Sequence, residues 1–156
     1  MFNLSSNEYI TLRSSASSDL FSNTPYDFTN QLCTTLTFSN KTKVALSELH
    51  LTLNFRAEKD GQSKIKQIFI LTDIVDDSIV GSSRLNILKV ISVDIIKFAT
   101  NTQVILFDNL FFYSLARNSI NNIRIVITDT FGNILHPGTL TPLTKLDETF
   151  IVLKFK

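Results

Sequence analysis

Two histidines, one cysteine and a short run of aspartates are what this sequence offers to chemistry. His50 lies in an alternating segment, on the opposite phase from Leu49 and Leu51, and His136 stands beside Pro137 in a loop. Neither has the paired spacing of a metal site or a neighbour that would make it a base. Two histidines and one cysteine also cannot build the common structural zinc sites. Cys33 falls in a predicted strand, where a thiol is expected to act as a small buried hydrophobe. As the single cysteine it excludes an intrachain disulfide and fits a reducing compartment. Asp73, Asp76 and Asp77 form the densest acidic cluster, and carboxylates that close can hold a hard cation. The run lacks the glycine and terminal glutamate of a Ca²⁺ loop, so a solvated turn is the expectation. Gly81-Ser82-Ser83-Arg84 has no glycine repeat and no following Lys-Ser/Thr, which makes it a turn and not a phosphate cradle. No Gly-x-Ser-x-Gly elbow is present. No catalytic, cofactor-binding or metal residue is assigned, and an enzyme is not expected.

The elements around these residues are strands. Phe, Ile, Val, Leu and Thr dominate, with 13 Phe in the chain. Ile123, Ile125 and Ile127 alternate strictly before the turn residues Asp129 to Asn133. Glu8 to Arg13 reads as the first strand, followed by a Ser- and Asn-rich loop. Tyr26 to Phe38 holds a strand broken near Asn30, with Leu32, Leu36 and Phe38 pointing inward. In "KVALSELHLTLNF", Val44 and Leu46 take one phase and Leu49, Leu51 and Leu53 the other, so a β-bulge is predicted at Ser47-Glu48. Glu58 to Gly61 is a polar turn; Ile65 to Val75 is an apolar strand ending in the charged loop "DDSIVGSSR". Leu85 to Val90 is a short strand or helix, and Val93 to Ala99 and Gln103 to Phe107 are strands. "DNLFFYSLARNS" has room for one helical turn, and Thr149 to Phe155 closes the chain with Ile151, Leu153 and Phe155 on one face.

That makes about eight strands, at the spacing of sandwiches and barrels. With 156 residues, 44% hydrophobic and 19% charged, the prior is one domain over 1–156. The fold class expected is all-β, a single jelly-roll β-sandwich of antiparallel strands. A net charge of +1 with scattered Lys and Arg predicts no specific nucleic-acid binding. The N-terminus lacks a basic start with a long apolar core, and no apolar run approaches the roughly 20 residues of a bilayer span. A soluble protein made in the cell interior, not secreted, is the expectation.

Leu110-Phe111-Phe112-Tyr113 is an aromatic stretch suited to the core or to an interface. Consecutive strand residues alternate, so these aromatics cannot all enter one core face. The segment serves either the core or a buried subunit contact, and Phe111, Phe112 and Tyr113 are the subunit-interface candidates.

The order of segments resembles the penton (minor capsid) proteins of virophages and Polinton-like double-stranded DNA viruses. In the N-terminal third the resemblance is carried by Asn23-Thr24, Phe28 and Val44-Ala45-Leu46 with Glu48. In the middle it is carried by Asp73, Val80-Gly81 and Leu88; towards the end by Asn109-Leu110, Tyr113, Leu115, Ile125, Ile127, Asp129 and Gly132. It spans nearly the whole chain, and its specificity lies in the order of the pieces. The resemblance implies a homopentamer that plugs the five-fold vertices of an icosahedral capsid built mainly from a double jelly-roll major capsid protein. It implies no cofactor and a place in the virion. The competing expectation is a jelly-roll carbohydrate- or ligand-binding module, suggested by the same fold and by the loop from Asp73 to Asp77.

Overall fold

The computed structural model describes residues 2–3, 8–51, 66–92, 103–135 and 148–156. Within them are twelve strands and no helix: β1 (Phe2–Asn3), β2 (Glu8–Arg13), β3 (Asp27–Thr37), β4 (Lys43–Leu51), β5 (Gln67–Thr72), β6 (Ser78–Val80), β7 (Ser83–Leu85), β8 (Ile87–Ser92), β9 (Gln103–Leu106), β10 (Tyr113–Ser114), β11 (Ser119–Asp129) and β12 (Phe150–Phe155). The predicted turn at Glu58 to Gly61, the strand at Val93 to Ala99, and His136 lie outside the described residues. No helix of the described residues is long and apolar enough to cross a membrane.

Ten of the strands form two five-stranded sheets. The first runs β1-β3-β11-β5-β8; in the second, β2, β12 and β4 lie side by side, and both β9 and β10 pair with β4 at its far edge. Pairing is antiparallel except between β1 and β3. Strands of the two sheets share one core. Ile68, Ile70, Ile123, Ile125 and Ile127 come from the first sheet, and Leu12, Leu46, Leu49, Ile151 and Leu153 from the second. The period-2 rule puts alternate residues of each strand on that inner face. At one end Phe38 stacks on Phe155 with ring centroids 4.8 Å apart, tying the sheets together.

The bulge predicted in β4 is present. Val152 pairs with Glu48 and Leu153 with Leu46, which leaves Ser47 as the extra residue, its Oγ donating to the Val152 carbonyl at 3.0 Å. The extra residue lets Val44 and Leu46 before it, and Leu49 and Leu51 after it, all reach the core.

Three expectations need correction, and one open alternative is decided. The loop "DDSIVGSSR" contains a hairpin: Val80 pairs with Ser83 across a two-residue turn, and Gly81 supplies the positive φ (60°) that such a turn requires. Of the two alternatives for Leu85 to Val90, strand is the one found: Leu85 ends β7 and, after Asn86, β8 completes the edge beside β5. "DNLFFYSLARNS" forms no helical turn; Tyr113 and Ser114 pair with Val44 and Lys43, and Ala116 donates its N–H to the Ile74 carbonyl at 2.9 Å. Backbone groups on an edge strand draw that segment into extended pairing that local preference does not reveal. Finally, Cys33 is exposed. The alternation of β3 continues past Gln31, so Cys33 lies on the exposed phase with Gln31 and Thr35 while Leu32 and Leu36 face inward. The irregularity expected near Asn30 is the register shift that follows Gln31, within a strand that otherwise runs on to Thr37.

Candidate interface surfaces

Asp73 shows first what the acidic loop is for. Its Oδ2 accepts from Arg117 Nη2 at 2.6 Å and its Oδ1 from the Arg124 backbone N–H at 2.9 Å. Asp77 accepts from Asn86 Nδ2 at 2.7 Å, and the same amide donates to the Val75 carbonyl at 2.8 Å. The carboxylates are thus turned to separate protein donors. Among the described residues no three His, Cys, Asp or Glu side chains gather as metal ligands. Arg124 also forms a two-pronged contact with Asp27, at 2.9 and 2.7 Å, across β11 and β3. The hydrogen bond to Asp27 raises the Arg124 guanidinium further above its ordinary value. The loop is a brace between β5, β11 and β3.

His50 lies on the outer face of the second sheet, as its phase against Leu49 and Leu51 predicts. Its Nε2 is 2.5 Å from Glu48 Oε1, its ring lies 4.8 Å from that of Phe150, and Arg13 covers the same phenyl ring at 5.3 Å. This is a cross-strand row over β4, β12 and β2, with no nucleophile beside it.

The aromatic triplet sits where the second sheet's edge is interrupted between β9 and β10. Tyr113 packs against the core, and burial pushes its hydroxyl above the ordinary value. Phe112 is half-buried, with the Lys156 ammonium 5.3 Å above its ring. Phe111 is the outward member: it is 65% exposed, tilted against Tyr113 at 4.9 Å. Two more exposed apolar residues, which the sequence reading did not single out, lie on the other strand paired with β4. Val104 and Leu106, 56% and 66% exposed, point outward from β9 while Ile105 packs against the core. The signal was available, because β9 is apolar on both phases, a pattern that suits a strand covered on both sides.

A second apolar surface lies on the outer face of the first sheet. Ile68, Ile70, Ile125 and Ile127 occupy its inner face, so Phe69 and Leu71 point outward. The β6–β7 hairpin and the turn after β11 rise on either side and form an open groove of about 190 Å³. Val80 and Leu85 line one wall, and Phe131, 79% exposed, lies on the other. Asp129, at the same wall, accepts hydrogen bonds from the Phe131 and Asn133 backbone N–H groups at 2.8 and 2.9 Å and from Asn133 Nδ2 at 3.0 Å. Burial pushes its carboxyl up, but these bonds outweigh it and leave the group below its ordinary value. Gly132, at φ 84°, closes the turn. No protein-family model matches the chain, and no curated protein matches it by sequence.

Proposed function

We propose that this chain is a structural virion protein, a penton (minor capsid) subunit that assembles as a pentamer at the five-fold vertices of an icosahedral capsid. The ordered resemblance to penton proteins carries the proposal, and the strand order supports the fold that it implies. Setting aside the arm β1 and the hairpin β6–β7, and counting β9 and β10 as one interrupted edge, the sheets read β2-β12-β4-β9/β10 and β3-β11-β5-β8. The chain changes sheet from β2 to β3, β3 to β4, β4 to β5, β8 to β9, β10 to β11 and β11 to β12. That interleaving is the order expected of a single jelly roll, a fold used by viral capsid and lectin domains.

Fold alone does not assign function. The capsid assignment rests on the resemblance of the ordered segments to penton proteins. It is supported by exposed apolar residues on both sheets, which a subunit of a closed ring needs and a solitary domain does not. Its partners would be four further copies and a double jelly-roll major capsid protein, in the virion, after synthesis inside the host cell. Co-expression with such a capsid protein, followed by imaging of the particles, tests this. Density for the chain at the five-fold vertices is expected; particles that consistently lack the chain would overturn the assignment.

A glycan-binding module is the second reading, favoured by the row of Arg13, Phe150 and His50 on an open sheet face. The loop that suggested a cation-assisted sugar site offers it no help, since Asp73 and Asp77 already serve Arg117 and Asn86. A glycan array with and without Ca²⁺ is expected to show no binding.

A further inference from the structure

We propose that the two apolar surfaces are halves of one contact between copies of this chain, with Phe111 of one copy seated in the groove between the β6–β7 hairpin and the turn after β11 of the next. The inference rests on the ring reading above and specifies which surfaces meet. β9 is apolar on both phases, yet only the Ile105 phase is covered by the chain's own core. Val104 and Leu106 on β9 and Phe111 just before β10 are therefore exposed apolar residues on the segments that line the β4 edge, and such an edge pairs with another chain unless it is shielded.

The groove is on the other sheet, so the two surfaces are distinct and both remain available on a single copy. Contact of unlike patches is heterologous, and repeated by rotation it propagates from copy to copy until it closes. A patch that met only itself would stop at a dimer. Size agrees as well: a cavity of about 150 Å³ is enough to take up benzene, and the groove measures about 190 Å³. Charge agrees too. Lys156 lies over Phe112 and Lys43 stands opposite Ser114, while Asp129 is the one charged residue lining the groove. As a carboxylate it is ionised at neutral pH.

The test replaces Phe111 in the full chain with the photoreactive p-benzoylphenylalanine, an aromatic substitute at an exposed position. Irradiating a mixture of isotopically heavy and light chains and mapping heavy-to-light links isolates contacts between copies. Links from position 111 to 80–85 or 128–132 are expected. Val80→Asp, which puts a carboxylate into the apolar groove, is expected to lower their yield about tenfold. Phe131→Ser, at an exposed turn position, gives a second variant with the same expectation. Links that map elsewhere, no links between copies, or yields unchanged in both folded variants would overturn the contact. The assembled mass separates this inference from the ring reading. A five-subunit species with links elsewhere leaves the ring and removes this contact. Links in the groove with a mass other than five subunits support the contact and remove the pentamer.

Discussion

Asp129 holds three donors of its own turn, so its worth can be measured directly. Asp129→Ala is expected to cost about 1–2 kcal/mol in chemical denaturation, the range for losing a capping side chain whose backbone donors stay partly wet. The pH dependence follows from the direction of its shift. The folded carboxyl lies below its ordinary value, so its hydrogen bonds contribute stability above the unfolded value, near 3.9, and lose it as pH falls through the folded one. Denaturation from pH 7 down to pH 2 should show this loss in the parent and much less of it in Asp129→Ala. Asn30 is the second residue to examine. It is buried, and its amide brackets Arg13, accepting from the backbone N–H and donating to the carbonyl at 2.8 Å each. Those bonds join β3 of one sheet to β2 of the other. Asn30→Ala is expected to cost about 1–3 kcal/mol, because the donor and acceptor left behind have no replacement of equal geometry. In the adjoining loop Asn23 donates to the Ala16 and Thr29 carbonyls and accepts from the Thr29 N–H. Several positions that carry the resemblance to penton proteins thus have visible structural work: Asn23 in this loop, Phe28 and Val44-Ala45-Leu46 in the core, Asp129 and Gly132 at the turn.

At the scale of elements, the bulge in β4 yields the sharpest prediction. Removing Ser47 would bring Val44, Leu46, Leu49 and Leu51 into one regular phase, so the deletion should retain a cooperative β-sheet fold and lose about 1 kcal/mol with the Ser47–Val152 hydrogen bond. Removing Val126 is the contrast. β11 pairs with β5 without a register shift from Ile125 to Asp129, so that deletion turns Ile127 out of the core relative to Ile125. Each isoleucine lost from a core costs about 2–5 kcal/mol, and loss of cooperative unfolding is expected. Circular dichroism and urea titration of the two deletions distinguish these outcomes. The same two strands show what was legible in sequence. The phase slip located the bulge, and the Ile123–Ile127 alternation located a core strand, because both are local consequences of the two-residue period. The β6–β7 hairpin was hidden because its strands are only three residues long and its turn, Gly-Ser, sits among other polar residues. The extended path of Tyr113-Ser114 was hidden for another reason, since it depends on pairing with a strand far away in sequence; the exposure of Cys33 was legible, because the inward phase of Leu32 and Leu36 leaves it outward. The groove depends on four segments meeting, so only one of its ingredients, the two-sided apolar character of β5, was open to reading.

At the scale of the whole molecule, one core holds two sheets whose strands are interleaved along the chain, and each sheet leaves apolar residues on its outward side. A folded domain of this kind tolerates single exposed apolar side chains. An exposed apolar edge on one sheet and an apolar groove on the other are better explained by copies that cover each other. The central proposal is self-association into a closed ring. Native mass spectrometry of the purified full chain over a range of concentrations is the most direct test. A discrete five-subunit species, with no open-ended series beyond it, is the predicted result; a monomer at every concentration would contradict the account.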